Sequence, residues 1–252
     1  MTAIRKTDST AKNGGNYKGE SLQGRVALVT GGSQGIGRAI AIRLAGLGVS
    51  VAICGRDKKA LDSASAELKK STGRVWAQTA DVSRAADVSE LVSRTESELG
   101  AISILVNNAG IGLFGPIQEK SETDWEQVLD TNLKSVFLVS RAVVPSMIQQ
   151  GAGDIVNIGS LAGKNTFAGG GIYCASKWGL RGLSGCMAED LRGYGIRVSL
   201  ISPGSVATAF GRGAKDPAKA LVAEDVAETV AAVLTQRRQS FLSEIDMRPL
   251  RK

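Results

Sequence analysis

Tyr173 and Lys177 lie four residues apart in a segment whose apolar residues recur at helical spacing. On a helix, side chains at i and i+4 share one face and lie about 6 Å apart at their Cβ atoms. A free phenol has a pKa of about 10, and a neighbouring ammonium stabilises the phenolate and lowers that pKa. The spacing therefore predicts an acid–base pair in which Tyr173 exchanges a proton with a substrate oxygen.

The absence of histidine narrows the other possibilities for chemistry. None of the 252 residues is His, which excludes Ser-His-Asp triads, Cys-His pairs and metal sites that need imidazole. The cysteines Cys54, Cys174 and Cys186 have no metal or redox spacing, so we predict free thiols in a reducing compartment and no bound metal. Any acid or base must then be Tyr, Lys, Cys, Asp or Glu.

Charge and composition bear on the partners of the chain. The formal net charge is +7, but the basic residues are scattered and aromatic residues make up 4% of the chain. This favours a solvated, mildly cationic surface, suited to an anionic cofactor or substrate, over a nucleic-acid-binding face. The sequence has no apolar run of about 18 residues that could span a membrane, and no apolar core of a secretory signal at its N-terminus. We therefore predict a cytoplasmic protein with no nucleic-acid or membrane partner.

A glycine-rich turn occupies residues 30–37, which read Thr-Gly-Gly-Ser-Gln-Gly-Ile-Gly between a predicted strand and a predicted helix. Gly31 permits a sharp turn, Gly35 lets a pyrophosphate approach the helix N-terminus, and Gly37 allows the helix to pack closely on the strand. The pattern predicts a dinucleotide site whose cofactor-binding residues are Gly31, Ser33, Gln34, Gly35, Ile36 and Gly37.

Short apolar runs alternate with longer amphipathic segments through the rest of the chain. We predict strands at 26–30, 49–54, 75–79, 102–106, 154–158, 198–201 and 241–245, and helices near 35–47, 58–70, 84–99, 122–149, 173–193 and 223–236. The alternation predicts βαβ units, with strands apolar on both faces because helices cover both sides. We therefore predict a single-domain α/β Rossmann fold over 24–252, a doubly wound parallel sheet of about seven strands, preceded by a disordered leader at 1–23.

Taken together, the Thr-Gly-x-x-x-Gly-x-Gly turn and the Tyr-x-x-x-Lys pair resemble the short-chain dehydrogenase/reductase family over about 24–249. The resemblance implies hydride transfer between a nicotinamide and a carbonyl or secondary alcohol. It adds Ser160, thirteen residues before Tyr173, as the hydroxyl that binds the substrate oxygen. It also implies that Asn132, in the helix predicted around 125–146, holds a proton-relay water near Lys177.

The end of the second strand bears on the choice of cofactor. An acid there would bind the adenosine ribose and repel a 2′-phosphate, and a basic residue would do the opposite. Family members that use NADH carry the acid where Gly55 stands, whereas Arg56 suits the phosphate of NADPH. Asp57 is better explained as the N-cap of the next helix, so we predict NADPH rather than NADH. The resemblance implies further cofactor contacts from Asp81, Val82, Asn108, Ala109, Gly110, Tyr173, Lys177, Pro203, Gly204, Val206 and Thr208.

Substrate and assembly are the least constrained by the sequence. The chain most resembles 3-oxoacyl-carrier-protein-reductase-like members of the family, although its C-terminal tail departs from theirs. Phe210, Arg212 and Lys215 after the sixth strand are compatible with a carrier-linked substrate or with a solvated loop. A sugar, steroid or other secondary-alcohol dehydrogenase and a non-catalytic NADP sensor are the alternatives. The resemblance also implies a homodimer or homotetramer, in which Trp178 and Met187 belong either to the interface or to the core.

Overall fold

The computed structural model describes residues 19–70, 74–211 and 216–250. Within these residues, seven strands form one sheet in the order β3-β2-β1-β4-β5-β6-β7, and every neighbouring pair is parallel. The strands are β1 (Val26–Thr30), β2 (Ser50–Gly55), β3 (Val75–Thr79), β4 (Ile104–Asn107), β5 (Gly153–Ile158), β6 (Ile196–Pro203) and β7 (Glu244–Met247). The strand order reverses between β1 and β4, and such a point opens a crevice at the carboxyl ends of the strands.

Helices cover both faces of the sheet. They are α1 (Gly35–Gly46), α2 (Lys58–Leu68), α3 (Ala85–Leu99), α4 (Glu122–Leu129), α5 (Ser135–Gln150), α6 (Gly171–Leu191) and α7 (Ala223–Leu234). Apolar side chains of α1, α2 and α7 form one core with the sheet. Those of α3, α5 and α6 form a second core on the opposite face. The predicted single-domain, doubly wound fold is therefore confirmed.

A π-helical turn, Asp130–Lys134, separates α4 from α5. The sequence predicted one helix over 122–149, so the continuous helix is a wrong prediction and Asn132 lies in the π turn. Asn132 is buried, and its amide bonds to both backbone groups of Ile111. A π turn disturbs the regular helical ladder locally, and here these tertiary hydrogen bonds accompany it.

The two edge strands differ from the predicted pattern of strands buried on both faces. β3 is only half-buried, and β7 is alternately exposed and half-buried. β7 also begins three residues later than predicted, at Glu244 rather than residue 241. Glu244 and Asp246 of β7, which is an edge strand among the described residues, both bind Lys164.

Residues 19–23, which we assigned to the leader, pack against the domain. The Glu20 N–H donates to the Thr235 carbonyl at 2.8 Å, and Leu22 is buried in the core shared by α1, α2 and α7. The packed chain thus extends further towards the N-terminus than the predicted boundary at 24. The rest of that segment, 1–18, lies outside the described residues.

The amino ends of the strands are tied together by one buried carboxylate. Asp154 of β5 binds Arg25 at 2.7 Å, Arg197 of β6 at 2.6 Å and Arg238 at 3.3 Å. Arg197 also donates to the Leu234 carbonyl that ends α7. The ion cluster joins β5 and β6 to the end of α7, on the edge of the sheet opposite the crevice.

The two residues of α6 that were predicted to belong either to an interface or to the core differ in exposure. Trp178 on α6 is 46% exposed, whereas Met187 on the same helix packs against the core of α3, α5 and α6.

In the part of the chain that the structure describes, none of the helices has the length and apolar character that a membrane crossing requires.

Candidate active site

A cleft of about 920 Å³ lies at the carboxyl edge of the sheet, where the strand order reverses. Every predicted site residue except Gly37 and Asn132 lines it. The lining residues thus include Gly31, Ser33, Gln34, Gly35, Ile36, Arg56, Asp81, Val82, Asn108, Ala109, Gly110, Ser160, Tyr173, Lys177, Pro203, Gly204, Val206 and Thr208. The structure therefore brings the glycine turn and the predicted acid–base pair to one site.

The glycine turn has the geometry that close approach of a ligand requires. Gly31 and Gly35 have φ of +63° and +53°, in the left-handed region that favours glycine. A Cβ on Gly37 would lie 2.3 Å from the Gly31 carbonyl oxygen, so only glycine fits beneath the turn. The Gln34 side chain makes no capping bond to α1, and the first helical residues, Gly35 and Ile36, line the cleft. This helix N-terminus suits an anionic group such as a pyrophosphate.

The loop after β4 holds the glycine turn in place. Asn108 Nδ2 donates to the carbonyls of Thr30 and Gly31 at 3.0 and 3.2 Å. In return, Thr30 Oγ1 accepts from the backbone N–H groups of Asn108 and Ala109 at 3.0 and 3.1 Å. Asn108 thus has a structural role at the turn in addition to lining the cleft.

The far end of the cleft, beyond β2, carries Arg56, Asp57 and Asp81. Asp57 Oδ1 accepts from the Ala60 N–H at 3.0 Å, which confirms it as the N-cap of α2. Asp81 Oδ1 accepts from the backbone N–H and the hydroxyl of Ser83 at 3.0 and 2.7 Å. Both carboxylates are therefore engaged locally, and Arg56 faces the cleft with a cation that suits a phosphate.

Tyr173 and Ser160 lie side by side, and the Ser160 side chain acts to lower the pKa of the phenol. Ser160 follows β5, and its Oγ also accepts from the Ala162 N–H at 3.1 Å, which caps a short 3₁₀ turn. That turn fixes the serine hydroxyl beside the phenol. A substrate oxygen placed between them would meet two hydroxyl donors.

Lys177 lies beneath Tyr173 and is almost fully buried. Its Nζ is 5.8 Å from the centre of the Tyr173 ring and donates to the Ile158 carbonyl at 2.9 Å. Burial lowers the pKa of Lys177 to about 8. Burial also raises the pKa of Tyr173, and this outweighs the opposite effect of the adjacent Ser160 side chain. Burial is therefore the largest influence on the phenol here, and the lowering of its pKa by the ammonium stays a prediction.

Asn132 does not line the cleft, which departs from its predicted position beside Lys177. Its Oδ1 accepts from the Ile111 N–H at 2.8 Å, and its Nδ2 donates to the Ile111 carbonyl and to Ser176 Oγ at 2.9 and 3.0 Å. Ser176 Oγ in turn donates to the Tyr173 carbonyl at 2.7 Å. Asn132 therefore links the loop after β4 to the helix that carries the tyrosine.

Three phenylalanines line the end of the cleft near Tyr173: Phe114, Phe167 and Phe210. The sequence analysis noted only Phe210. Each lies in a loop with a glycine one or two residues after it, and this repeated context was the available signal. The two basic residues noted beside it, Arg212 and Lys215, lie outside the described residues.

Comparison with known proteins gives three kinds of match. The family model described as short chain dehydrogenase matches residues 25–244. An uncharacterized oxidoreductase from Staphylococcus saprophyticus subsp. saprophyticus is 36% identical over 234 residues, covering 91% of this chain and 99% of that protein.

Solved structures agree with the family match. A metagenomic short-chain oxidoreductase in complex with NADP is 40% identical, with a TM-score of 0.83 over 92% of this chain and 100% of the other. An alcohol dehydrogenase from the archaeon Thermococcus sibiricus, complexed with 5-hydroxy-NADP, is 28% identical, with a TM-score of 0.85 over 90% and 97%. These matches include both the glycine turn and the Tyr173–Lys177 pair, which lie in one cleft. The chain therefore belongs to the short-chain dehydrogenase family of oxidoreductases.

Proposed function

We propose that this oxidoreductase transfers a hydride between NADP(H) and a carbonyl or secondary alcohol. The observation that carries the proposal is the single cleft that joins the glycine turn to Tyr173, Ser160 and Lys177. A dinucleotide bound at the glycine turn would then share the cleft with the acid–base groups, as hydride transfer with proton transfer requires.

The residues of the cleft fit a phosphorylated dinucleotide. The glycine turn and the start of α1 offer room and N–H groups to the pyrophosphate, since Gly31 and Gly35 line the cleft without side chains. Arg56 would pair with a 2′-phosphate, which favours NADPH over NADH. Two of the similar solved structures are complexes with NADP or 5-hydroxy-NADP, which supports this choice. Near the catalytic group, Pro203, Gly204, Val206 and Thr208 would flank the nicotinamide.

The bound nicotinamide supplies or accepts the hydride, so two electrons pass to or from the substrate carbon. In reduction, Tyr173 donates its proton to the substrate oxygen, and the carbonyl becomes an alcohol that keeps a C–O single bond and gains a C–H and an O–H bond. Ser160 donates a hydrogen bond to the same oxygen. The phenolate left on Tyr173 is stabilised by cationic Lys177, whose pKa of about 8 keeps it charged at neutral pH.

Asn132 acts as a positioning residue in this scheme. Its bonds to Ile111 and Ser176 hold the loop after β4 against α6, one turn from Tyr173. The proton-relay role that the sequence resemblance implied for Asn132 stays a prediction.

For the substrate, the sequence resemblance supports a 3-oxoacyl thioester linked to acyl-carrier protein. A sugar, steroid or other secondary alcohol is the alternative within the family. We further propose a homodimer or homotetramer in the cytoplasm. The exposed side chains of Trp178 and Phe137, on α6 and α5, favour such an assembly because large exposed apolar groups mark contact surfaces.

The test is Tyr173→Phe, assayed by the loss of reduced-nicotinamide absorbance with ketones and 3-oxoacyl thioesters. Removing the proton donor should lower kcat by about 10²- to 10⁴-fold. NADPH binding, followed by nicotinamide fluorescence, should stay within about twofold because the ring remains. If the variant keeps most of its turnover, Tyr173 is not the proton donor. Tight NADPH binding without turnover in the wild type would support the sensor alternative.

A further inference from the structure

The substrate end of the cleft is walled by aromatic rings. Three of the five phenylalanines in the chain, Phe114, Phe167 and Phe210, converge there from three separate loops. The Phe114 ring centre lies 5.3 Å from that of Tyr173 and 5.9 Å from that of Phe167. The Phe210 ring centre lies 5.8 Å from that of Tyr173. The catalytic phenol is therefore part of a continuous aromatic surface.

Much of this surface is open to the cleft. Phe167 is 50% exposed and Phe210 is 40% exposed, although both line a concave site rather than a convex surface. Apolar area in a cleft loses water when an apolar ligand covers it, at about 25 cal/mol per Å². The two rings therefore offer binding energy that a polar ligand would not use.

Glycine backbone sets the position of each ring. A Cβ on Gly112 would lie 2.8 Å from Phe114 and 2.9 Å from Phe210, and one on Gly211 would lie 2.7 Å from Phe114. A Cβ on Gly170 would lie 2.7 Å from Phe167. The rings thus rest directly against main chain, which holds them without filling the space in front of them.

Polar side chains beside Phe167 in the cleft are few, namely Asn165 and Thr166. The amide of Asn165 donates to the Leu161 carbonyl at 3.0 Å. The charged residues Arg56, Asp57 and Asp81 line the opposite end of the cleft. Among the described lining residues near Phe167, only Tyr173 and Lys177 ionise. A neutral, flat substituent matches this wall better than an anionic one.

In place of the 3-oxoacyl thioester that the sequence resemblance supports, we propose that the substrate is a ketone, or the corresponding secondary alcohol, with an aromatic ring close to the carbonyl. Its ring stacks among Phe114, Phe167 and Phe210 while its oxygen meets Ser160 and Tyr173. The proposal rests on the proposed oxidoreductase function and names its substrate class. Aromatic pairs favour offset or edge-to-face contacts with ring centres 4.5–7 Å apart, the range already seen within the wall.

The test compares phenylacetone with cyclohexylacetone, each with NADPH. The two ketones have the same carbon skeleton, and a methylene separates ring from carbonyl in both, so their intrinsic reactivity is similar. We expect kcat/KM to be about 10-fold higher for phenylacetone. An acetoacetyl thioester of N-acetylcysteamine serves as the aliphatic 3-oxoacyl comparison and should be the poorer substrate.

Two variants probe the wall itself. Phe167→Leu/Phe210→Leu keeps apolar bulk but removes two rings, and Gly112→Ala pushes against Phe114 and Phe210 without removing either. Both should bring the phenylacetone preference down to about twofold or less, mainly through a higher KM for phenylacetone. Tyr194→Leu removes an exposed ring at the far end of α6 and should leave the preference unchanged.

The outcomes separate the two levels of the proposal. Equal kcat/KM for both ketones, or a preference for the thioester, overturns the aromatic substrate class while the oxidoreductase function stands. A preference that survives the double leucine variant also overturns it. Absence of NADPH oxidation with every ketone and thioester instead contradicts the proposed function.

Discussion

Replacing Lys177 with methionine is expected to change the pH dependence of stability in a defined direction. Burial lowers the pKa of Lys177 from 10.5 to about 8, so the folded chain releases this proton before the unfolded chain does. At about 1.4 kcal/mol per pKa unit, the buried charge costs about 3 kcal/mol below pH 8. The cost falls as pH rises from about 8 to 10.5, and wild-type stability gains accordingly.

Methionine retains much of the apolar stem and removes the charge, so the variant does not carry this cost. It also leaves the Ile158 carbonyl without the bond it accepts from Nζ at 2.9 Å, a loss of about 1–3 kcal/mol. At pH 7 these effects partly offset, whereas the pH dependence comes from the charge alone. The stability of Lys177→Met relative to wild type should therefore fall by about 2 kcal/mol between about pH 7 and pH 10.

The assay is urea unfolding of both chains at several pH values and one protein concentration. Lys164→Met is the matched control, because ion pairs with Glu244 and Asp246 raise the pKa of Lys164. Its stabilising contribution is present below its unfolded pKa and is lost only above its raised folded pKa. The control should therefore be less stable than wild type by a constant amount across this range. A Lys177→Met difference that is flat with pH would refute the buried-cation reasoning.

Three further substitutions test the cofactor site and the sheet. Arg56→Ala should weaken NADPH binding by about 10- to 100-fold, because a charge-assisted contact contributes about 1.5–3 kcal/mol. NADH binding should stay within about twofold, with both affinities measured by fluorescence titration. An equal effect on the two cofactors would remove the case for NADPH. Gly37→Ala places a Cβ 2.3 Å from the Gly31 oxygen and should reduce dinucleotide affinity at least about 10-fold, whereas Gly182→Ala, in open space on α6, should not. Asp154→Asn removes the charge shared by three arginines and should lower the free energy of unfolding by about 3–5 kcal/mol in urea titrations; a change below about 1 kcal/mol would contradict a stabilising role.

The sequence predicted the elements whose signals are local. β1 and β3 have the predicted bounds, and the Asp57 cap of α2 follows from its own residues. The predicted position of β7 was displaced, because this edge strand carries polar side chains and lacks the apolar run that marks a buried strand. The continuous helix over 122–149 was wrong because hydrogen bonds from Asn132 to Ile111, distant in sequence, accompany the π turn.

The sequence predicted most of the residues that were expected at the site and now line the cleft, but not how burial affects them. The glycine turn and the Tyr173–Lys177 pair were recognisable from local sequence, and the structure brings them together in one cleft. The pKa of Tyr173 depends on how deeply the fold buries the phenol, and i,i+4 spacing carries no information on depth. The aromatic wall escaped prediction because its three phenylalanines lie on loops far apart in the chain, and only folding brings them together.

The π turn between α4 and α5 also has a consequence for how this segment tolerates insertions and deletions. An α-helix advances about 100° per residue, so deleting one residue from Asp130–Lys134 would restore an ordinary helix and rotate α5 by about that angle relative to α4. Val128 and Val136, buried on either side of the turn, could then no longer both face the core. The number of residues in this stretch is thus fixed by the need for the buried faces of α4 and α5 to point towards the same core. Substitutions there should be accepted far more readily than insertions or deletions.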